Sequence, residues 1–169
     1  MSVLITCKSG NLDTSPLSLP VDYIDLEWYE TKKRIQNKRS RQGLEVTLKF
    51  LDEFHQLYQN DILLIQSDCM IAVNILECET IIISPRSMAE MASICYEIGN
   101  KHLPLFYQGD KLLISFEKPI YSWLINNNFP VLVENRKLEY PVKTTVLPHR
   151  ITVSDNVFEQ FKKIPSSDT

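Results

Sequence analysis

The chain has 169 residues, a formal net charge of -3 at pH 7, 44% hydrophobic residues and 23% charged ones. That length admits one ordinary domain or two small ones, and the balance is that of a folded, soluble protein. The acidic total excludes a strong global attraction to nucleic acid, and without an apolar run of about 18 residues or a signal-like N-terminus neither a membrane span nor secretion is predicted.

The first 73 residues read mainly as strands. Val3-Leu4-Ile5 is a short β-prone run, and the stretch from Ser9 to Pro20 is rich in turn formers. Leu44 to Leu48 alternates apolar and polar residues, the pattern of a half-buried strand. Ile62 to Ile65 and Met70 to Val73 predict two more strands, with a turn at Gln66-Ser67-Asp68. No helical period precedes Ser84. A small antiparallel β-domain over residues 1–74 is expected.

The second part changes character. Ile81-Ile82-Ile83 is a β-branched run that suits a buried strand. Ser87 followed by Glu90 has the form of a capping box, and Met88, Met91, Ala92, Cys95 and Ile98 then recur at helical spacing. Gly99-Asn100 predicts the C-terminal stop. Leu103 to Tyr107 and Leu112 to Phe116 read as strands joined by a turn at Gln108-Gly109-Asp110. Pro119 suits the first turn of a second helix with Ile120, Trp123 and Leu124 on one face, and Val131-Leu132-Val133 gives a last strand. The expected order over residues 75–136 is βαββαβ, a ferredoxin-like domain. Residues 137–169, with Pro141, Pro148 and Pro165 and a polar end, read as a flexible tail. The fold class is α+β.

Chemistry-bearing residues are few. Cys7, Cys69, Cys78 and Cys95 are widely spaced with no CxxC pair, which predicts reduced thiols in the cytoplasm rather than a disulfide framework. There is no GxSxG, no HExxH and no Gly-rich phosphate loop, so an enzyme is not expected. The run from Thr31 to Arg41 holds six basic residues and no acidic one. It suits phosphates or an acidic protein partner, or else forms a solvated strand-and-turn face, and it lacks the interleaved aromatics of a base-stacking surface. Histidine is scarce, with only His55, His102 and His149. His102 falls just past the predicted end of the first helix, where unpaired carbonyls favour a cation. A simple helix cap and a metal ligand are equally open on these grounds.

Two segments carry a resemblance. Pro85 to Ala92, followed by Tyr96-Glu97-Ile98-Gly99-Asn100-Lys101-His102-Leu103-Pro104-Leu105, resembles the signature region of the UreE family of urease accessory proteins. Asp25 to Ile35, with Thr47 and Leu48 beyond, is similar to that family's N-terminal β-domain. The resemblance implies a β-domain with a peptide-binding look, a metal-binding ferredoxin-like domain, and a homodimer built through the latter. It places the family's key histidine on His102, with the two copies facing each other across the two-fold axis. His149, in Leu147-Pro148-His149-Arg150, resembles the tail histidine that some members add to the interfacial metal. The implied function is a cytoplasmic nickel metallochaperone that delivers Ni(II) to apo-urease together with the GTPase UreG and other accessory proteins. Imidazole ligands suit Zn(II) and Cu(II) as well. The competing reading is a protein-interaction adaptor in a maturation complex, with an incidental metal site. Neither reading expects nucleic acid or a membrane as partner.

Overall fold

The computed structural model describes residues 2–142 apart from Leu17, Glu53 and Phe54. Over the described residues the protein is a mixed α+β chain made mostly of sheet, with two α-helices. Its N-terminal strands are β1 (Val3–Ile5), β2 (Gly10–Asn11), β3 (Val21–Leu26), β4 (Ile35–Arg39), β5 (Glu45–Lys49), β6 (Asp61–Ile65) and β7 (Met70–Ile75). A single 3-10 turn, Trp28–Glu30, lies between β3 and β4. The remainder comprises β8 (Glu77–Ile83), α1 (Met88–Asn100), β9 (Phe106–Gln108), β10 (Lys111–Ser115), α2 (Lys118–Asn126) and β11 (Val131–Lys137).

The N-terminal strands form two sheets, ordered β1-β5-β4 and β2-β6-β7-β3. Their alternating inward residues meet in one core that includes Ile24, Leu26, Val46, Leu48 and Val73. The expectation of an antiparallel β-domain is corrected in part. β1 pairs with β5 in parallel, Val3 opposite Val46, and β3 pairs with β7 in parallel, Val21 opposite Met70. Parallel neighbours need a connection of about a dozen residues or more, and the long excursions from β1 to β5 and from β3 to β7 supply it. Residue alternation reports which face is buried and is blind to strand direction.

β8 to β11 form the third sheet, in the order β11-β8-β10-β9, and every neighbouring pair is antiparallel. With the helices between them the elements run β8-α1-β9-β10-α2-β11. Both faces of this sheet are covered, which is why Ile81, Ile82 and Ile83 need no alternation. Ile81 and Ile83 face the helices and pack with Ile94, Ile98, Ile120 and Leu124. Ile82 points the other way, into a small cluster with Phe106, Leu113 and Leu138, against which Trp28 from the N-terminal part is packed. The Trp28 and Phe106 rings meet edge to face at 5.7 Å. Beside them the Lys137 ammonium donates to Asn74 Oδ1 at 2.7 Å and to Gln59 Oε1 at 3.3 Å. An apolar cluster and a polar clasp thus join the third sheet to the first two.

The chain beyond Arg136 departs from the irregular course expected of it. Lys137 completes β11, opposite Glu77, and Leu138 is buried. The next residues run along β9, where Tyr107 N–H donates to Tyr140 O at 3.1 Å and Val142 N–H to Leu105 O at 2.7 Å. Pro141 removes no needed donor on this edge, and the segment shields the otherwise open side of β9. The rest of the expected tail, residues 143–169, and with it His149, lies outside the described residues.

Candidate functional site

The first helix starts and ends by local side-chain and backbone chemistry. Ser87 is its N-cap, and its hydroxyl accepts from Glu90 N–H at 3.2 Å. The reciprocal half of the expected capping box is absent. The Glu90 carboxylate instead accepts from Arg86 N–H at 2.8 Å and from the Arg86 guanidinium at 2.6 Å. That guanidinium holds the Glu90 carboxyl below its ordinary range. The buried side of α1 is made by Ile94 and Ile98, with Met91 and Cys95 partly covered. Met88, expected on that face, is 82% exposed instead, and Ile94 takes its place in the core. The positions 91, 94, 95 and 98 form the tighter stripe, with spacings of three and four.

Helix α1 closes on His102. Lys101 is the C-cap with φ -86°, and His102 follows at φ 55°, in the left-handed region. His102 N–H donates to Gly99 O at 3.0 Å and Leu103 N–H donates to Ile98 O at 3.2 Å. These two bonds make a Schellman motif, and Leu103 packs into the same core cluster as Ile98. The predicted stop at Gly99-Asn100 therefore moves on by three residues. Gly99 is helical, and the left-handed position usually given to glycine is filled by histidine. The His102 side chain is exposed and makes no hydrogen bond or ion pair among the described residues. Its imidazole is free to meet a ligand from outside.

The surface leading to His102 is unusual for a solvent-facing helix. Met88, Ala89, Ala92, Ser93, Tyr96 and Gly99 are all exposed, and none is charged. Tyr96 alone is 73% exposed. Glu90 and Glu97 sit at the margins, each taken up by a basic neighbour: Arg86, and Lys101 at 3.0 Å. An exposed helix face normally carries charge. The i, i+4 series Met88, Ala92, Tyr96 is the sequence signal for this strip, and two of its members, Met88 and Ala92, also fit the helical spacing of the apolar face.

The other candidates sort themselves by environment. Cys95 is half-buried and burial pushes its thiol above the ordinary value, as it does for Cys78, so both are kept as neutral thiols. His55 lies flat on Phe50, with ring centroids 3.9 Å apart and an interplanar angle of 7°. Its Nε2 is buried with no hydrogen-bond partner among the described residues, and burial lowers its pKa. It is a packed neutral histidine. Within the basic run, Lys33 and Lys38 bind Glu30, Arg39 binds Glu45 at 2.8 Å, and Arg41 binds Asp25 at 2.7 Å. Only Lys32 and Arg34 of the six lack a carboxylate partner among the described residues. Most of the run is a paired protein surface.

Among the described residues no three His, Cys, Asp or Glu side chains come together in a way that could hold a metal ion. Among them, too, no helix is long and apolar enough to cross a membrane. Among the described residues His102 thus stands alone, and the structure brings neither His55 nor a cysteine to it.

Comparison with known proteins places this architecture. A family model described as the N-terminal domain of the UreE urease accessory protein matches residues 5–76. The chain is 41% identical over 144 residues to a urease accessory protein UreE of Flavobacterium johnsoniae, spanning 85% of this chain and 87% of that one. To the protein of the same name in Helicobacter pylori it is 42% identical over 145 residues, with 83% and 85% covered. In Helicobacter acinonychis the figures are 40% over 152 residues, with 87% and 89% covered. These matches run over most of both lengths at about 40% identity, and the chain therefore belongs to the UreE family of urease accessory proteins.

Proposed function

We propose that this protein is a nickel metallochaperone for urease maturation. In this reading a cytoplasmic homodimer carries Ni(II) between the two copies of His102 and passes it to apo-urease, acting with the GTPase UreG and the other accessory proteins. The carrying observation is His102 itself: an unpartnered, outward imidazole at the end of an uncharged exposed helix face. A strip of that kind is suited to burial against its own copy, since contact there strands no charge. Two-fold packing along α1 gives His102 a second imidazole without any further ligand in the sequence. The metal is cargo, and two imidazoles with open positions suit release better than a closed thiolate cage.

Residues 1–74 act in this reading as a partner-binding β-domain, and residues 75–136 as the metal-binding and dimerisation domain. His149 is assigned a secondary ligand role. It stands seven residues beyond Val142, which bonds Leu105 close to His102 in the chain. Seven extended residues reach at most about 25 Å. Zn(II) and Cu(II) are expected to bind the same nitrogens in vitro.

Calorimetric titration with Ni(II), run beside light scattering, tests the proposal. One metal per dimer is expected for the parent protein, and His102→Ala should lose the tight site while staying folded and dimeric. Undiminished affinity in that variant would refute the assignment. The adaptor reading, in which metal is incidental, predicts that His102→Ala leaves urease maturation intact.

A further inference from the structure

The outer face of the β4–β5 hairpin grades from polar to apolar along its length. At one end Arg39 pairs with Glu45 and Asn37 accepts from the Thr47 hydroxyl at 2.9 Å. At the other end Ile35 lies opposite Lys49. Phe50 N–H donates to Arg34 O at 2.7 Å, which carries the pairing one step further, and Leu51 follows directly. Ile35 is 64% exposed, Leu51 70% and Tyr29 55%. Lys33 spans this end, its ammonium 5.5 Å from the Tyr29 ring centroid. Three large apolar side chains therefore stand in water together with Lys33 and Lys49, and Lys32 and Arg34 flank them, also exposed. Lys32, Arg34 and Lys49 have no carboxylate partner among the described residues.

We infer that this end of the hairpin is a docking surface for an extended, acidic segment of a partner protein, with apolar residues at alternate positions. The spacing and the charge carry the choice. On a pleated surface, same-face residues recur about 7 Å apart, which is the i, i+2 spacing of an extended chain. Apolar residues of such a chain would cover Ile35, Leu51 and Tyr29, while its carboxylates meet the lysines at the rim. A basic or neutral segment would leave Lys32, Arg34 and Lys49 without a carboxylate partner. Nucleic acid is disfavoured because four of the six cations of the run, Lys33, Lys38, Arg39 and Arg41, are already held by Glu30, Glu45 and Asp25. The inference rests on the proposed partner-binding role of the N-terminal sheets and names the face and the chemistry.

A fluorescein-labelled decapeptide of alternating Leu and Glu serves as the probe, followed by anisotropy. The full chain should bind it, and salt should weaken the binding. Ile35→Ser with Leu51→Ser, and separately Lys32→Gln with Lys49→Gln, should each lower affinity by about tenfold or more, a difference of about 1.4 kcal/mol. All four side chains are exposed, so the fold should be kept, with circular dichroism as the check. A peptide with Lys in place of Glu should bind at least about tenfold more weakly. Equal binding by both peptides, or no loss in either variant, overturns the surface. Photocrosslinking the bound peptide separates the cases: labels elsewhere within residues 5–76 overturn this surface yet leave a partner-binding N-terminal part standing, and no label there overturns both. Ni(II) binding should be unchanged in every variant, so the outcome is independent of the His102 assignment.

Discussion

Helices α1 and α2 end in the same way, with different residues at the critical position. In α2 the C-cap is Asn127, Asn128 follows at φ 58°, and Phe129 N–H donates to Leu124 O at 3.1 Å. In α1 the corresponding residues are Lys101, His102 and Leu103, with Ile98 as acceptor. Asparagine tolerates the left-handed region well, and at α2 its carbonyl is also held by the Arg86 guanidinium at 3.1 Å. That end is explained by structure alone. At α1 the backbone closes by the same two hydrogen bonds, and among the described residues no group bonds the imidazole. The motif does not require this side chain, and glycine would cost less in this backbone conformation; that contrast is what the His102 proposal builds on.

Four experiments would break or sharpen this comparison. The largest effect is expected where the ends are alike. Ile98 and Leu124 occupy equivalent positions, and both are fully buried. Ile98→Ala and Leu124→Ala should each cost about 2–5 kcal/mol in chemical denaturation. A cost confined to one of them would mean that the two closures are not equivalent.

The next effect separates the ends. His102→Ala should weaken Ni(II) binding by about 100-fold or more, a loss of about 2.7 kcal/mol, whereas Asn128→Ala should leave it unchanged. Parallel titrations decide this, and equal losses would remove the distinction. Glycine at each position then measures backbone strain. His102→Gly should raise stability by about 1 kcal/mol, visible as a higher Tm, with metal binding lost. Asn128→Gly should gain less, since asparagine already accepts this conformation. A destabilised His102→Gly protein would show that the imidazole does contribute to the fold.

The smallest effect contrasts His102 with the packed histidine. Burial holds the His55 pKa below its ordinary value of 6.5. The unfolded chain therefore binds the proton more readily than the folded one, so protonation favours unfolding. Stability should be intact above pH 6.5 and should fall as pH drops from there through the lower folded value. Charged neighbours Lys8, Asp52 and Asp61 set the details. His55→Phe should flatten this part of the pH–stability curve without changing Ni(II) affinity at neutral pH. An unchanged slope would mean that other groups carry it.

Much of the local structure was legible from residue order. Leu44 to Leu48 alternates because one side of β5 is buried, and the observed strand is Glu45–Lys49. Pro119 does start α2, with Ile120 and Leu124 on its buried face. The position of His102 just past α1 also follows from spacing. Less legible was the α1 surface: Met88 and Ile98 are both large apolar residues at helical spacing, yet one is bare and the other buried, and only the packed sheet distinguishes them. Likewise the basic run looked like one cationic patch. Its partners Asp25, Glu30 and Glu45 come from three places along the folded chain.

The sequence by itself determined where strands, turns and helices form, and that a lone histidine follows the first helix. These features are set within a few residues, by alternation, capping and turn chemistry. Only the tertiary structure decided that β1 and β5, and β3 and β7, run parallel, that residues 138–142 cover β9, and that the exposed side of α1 is free of charge. Those outcomes depend on contacts between segments tens of residues apart, where burial and hydrogen-bond satisfaction choose among arrangements that local patterns leave equal.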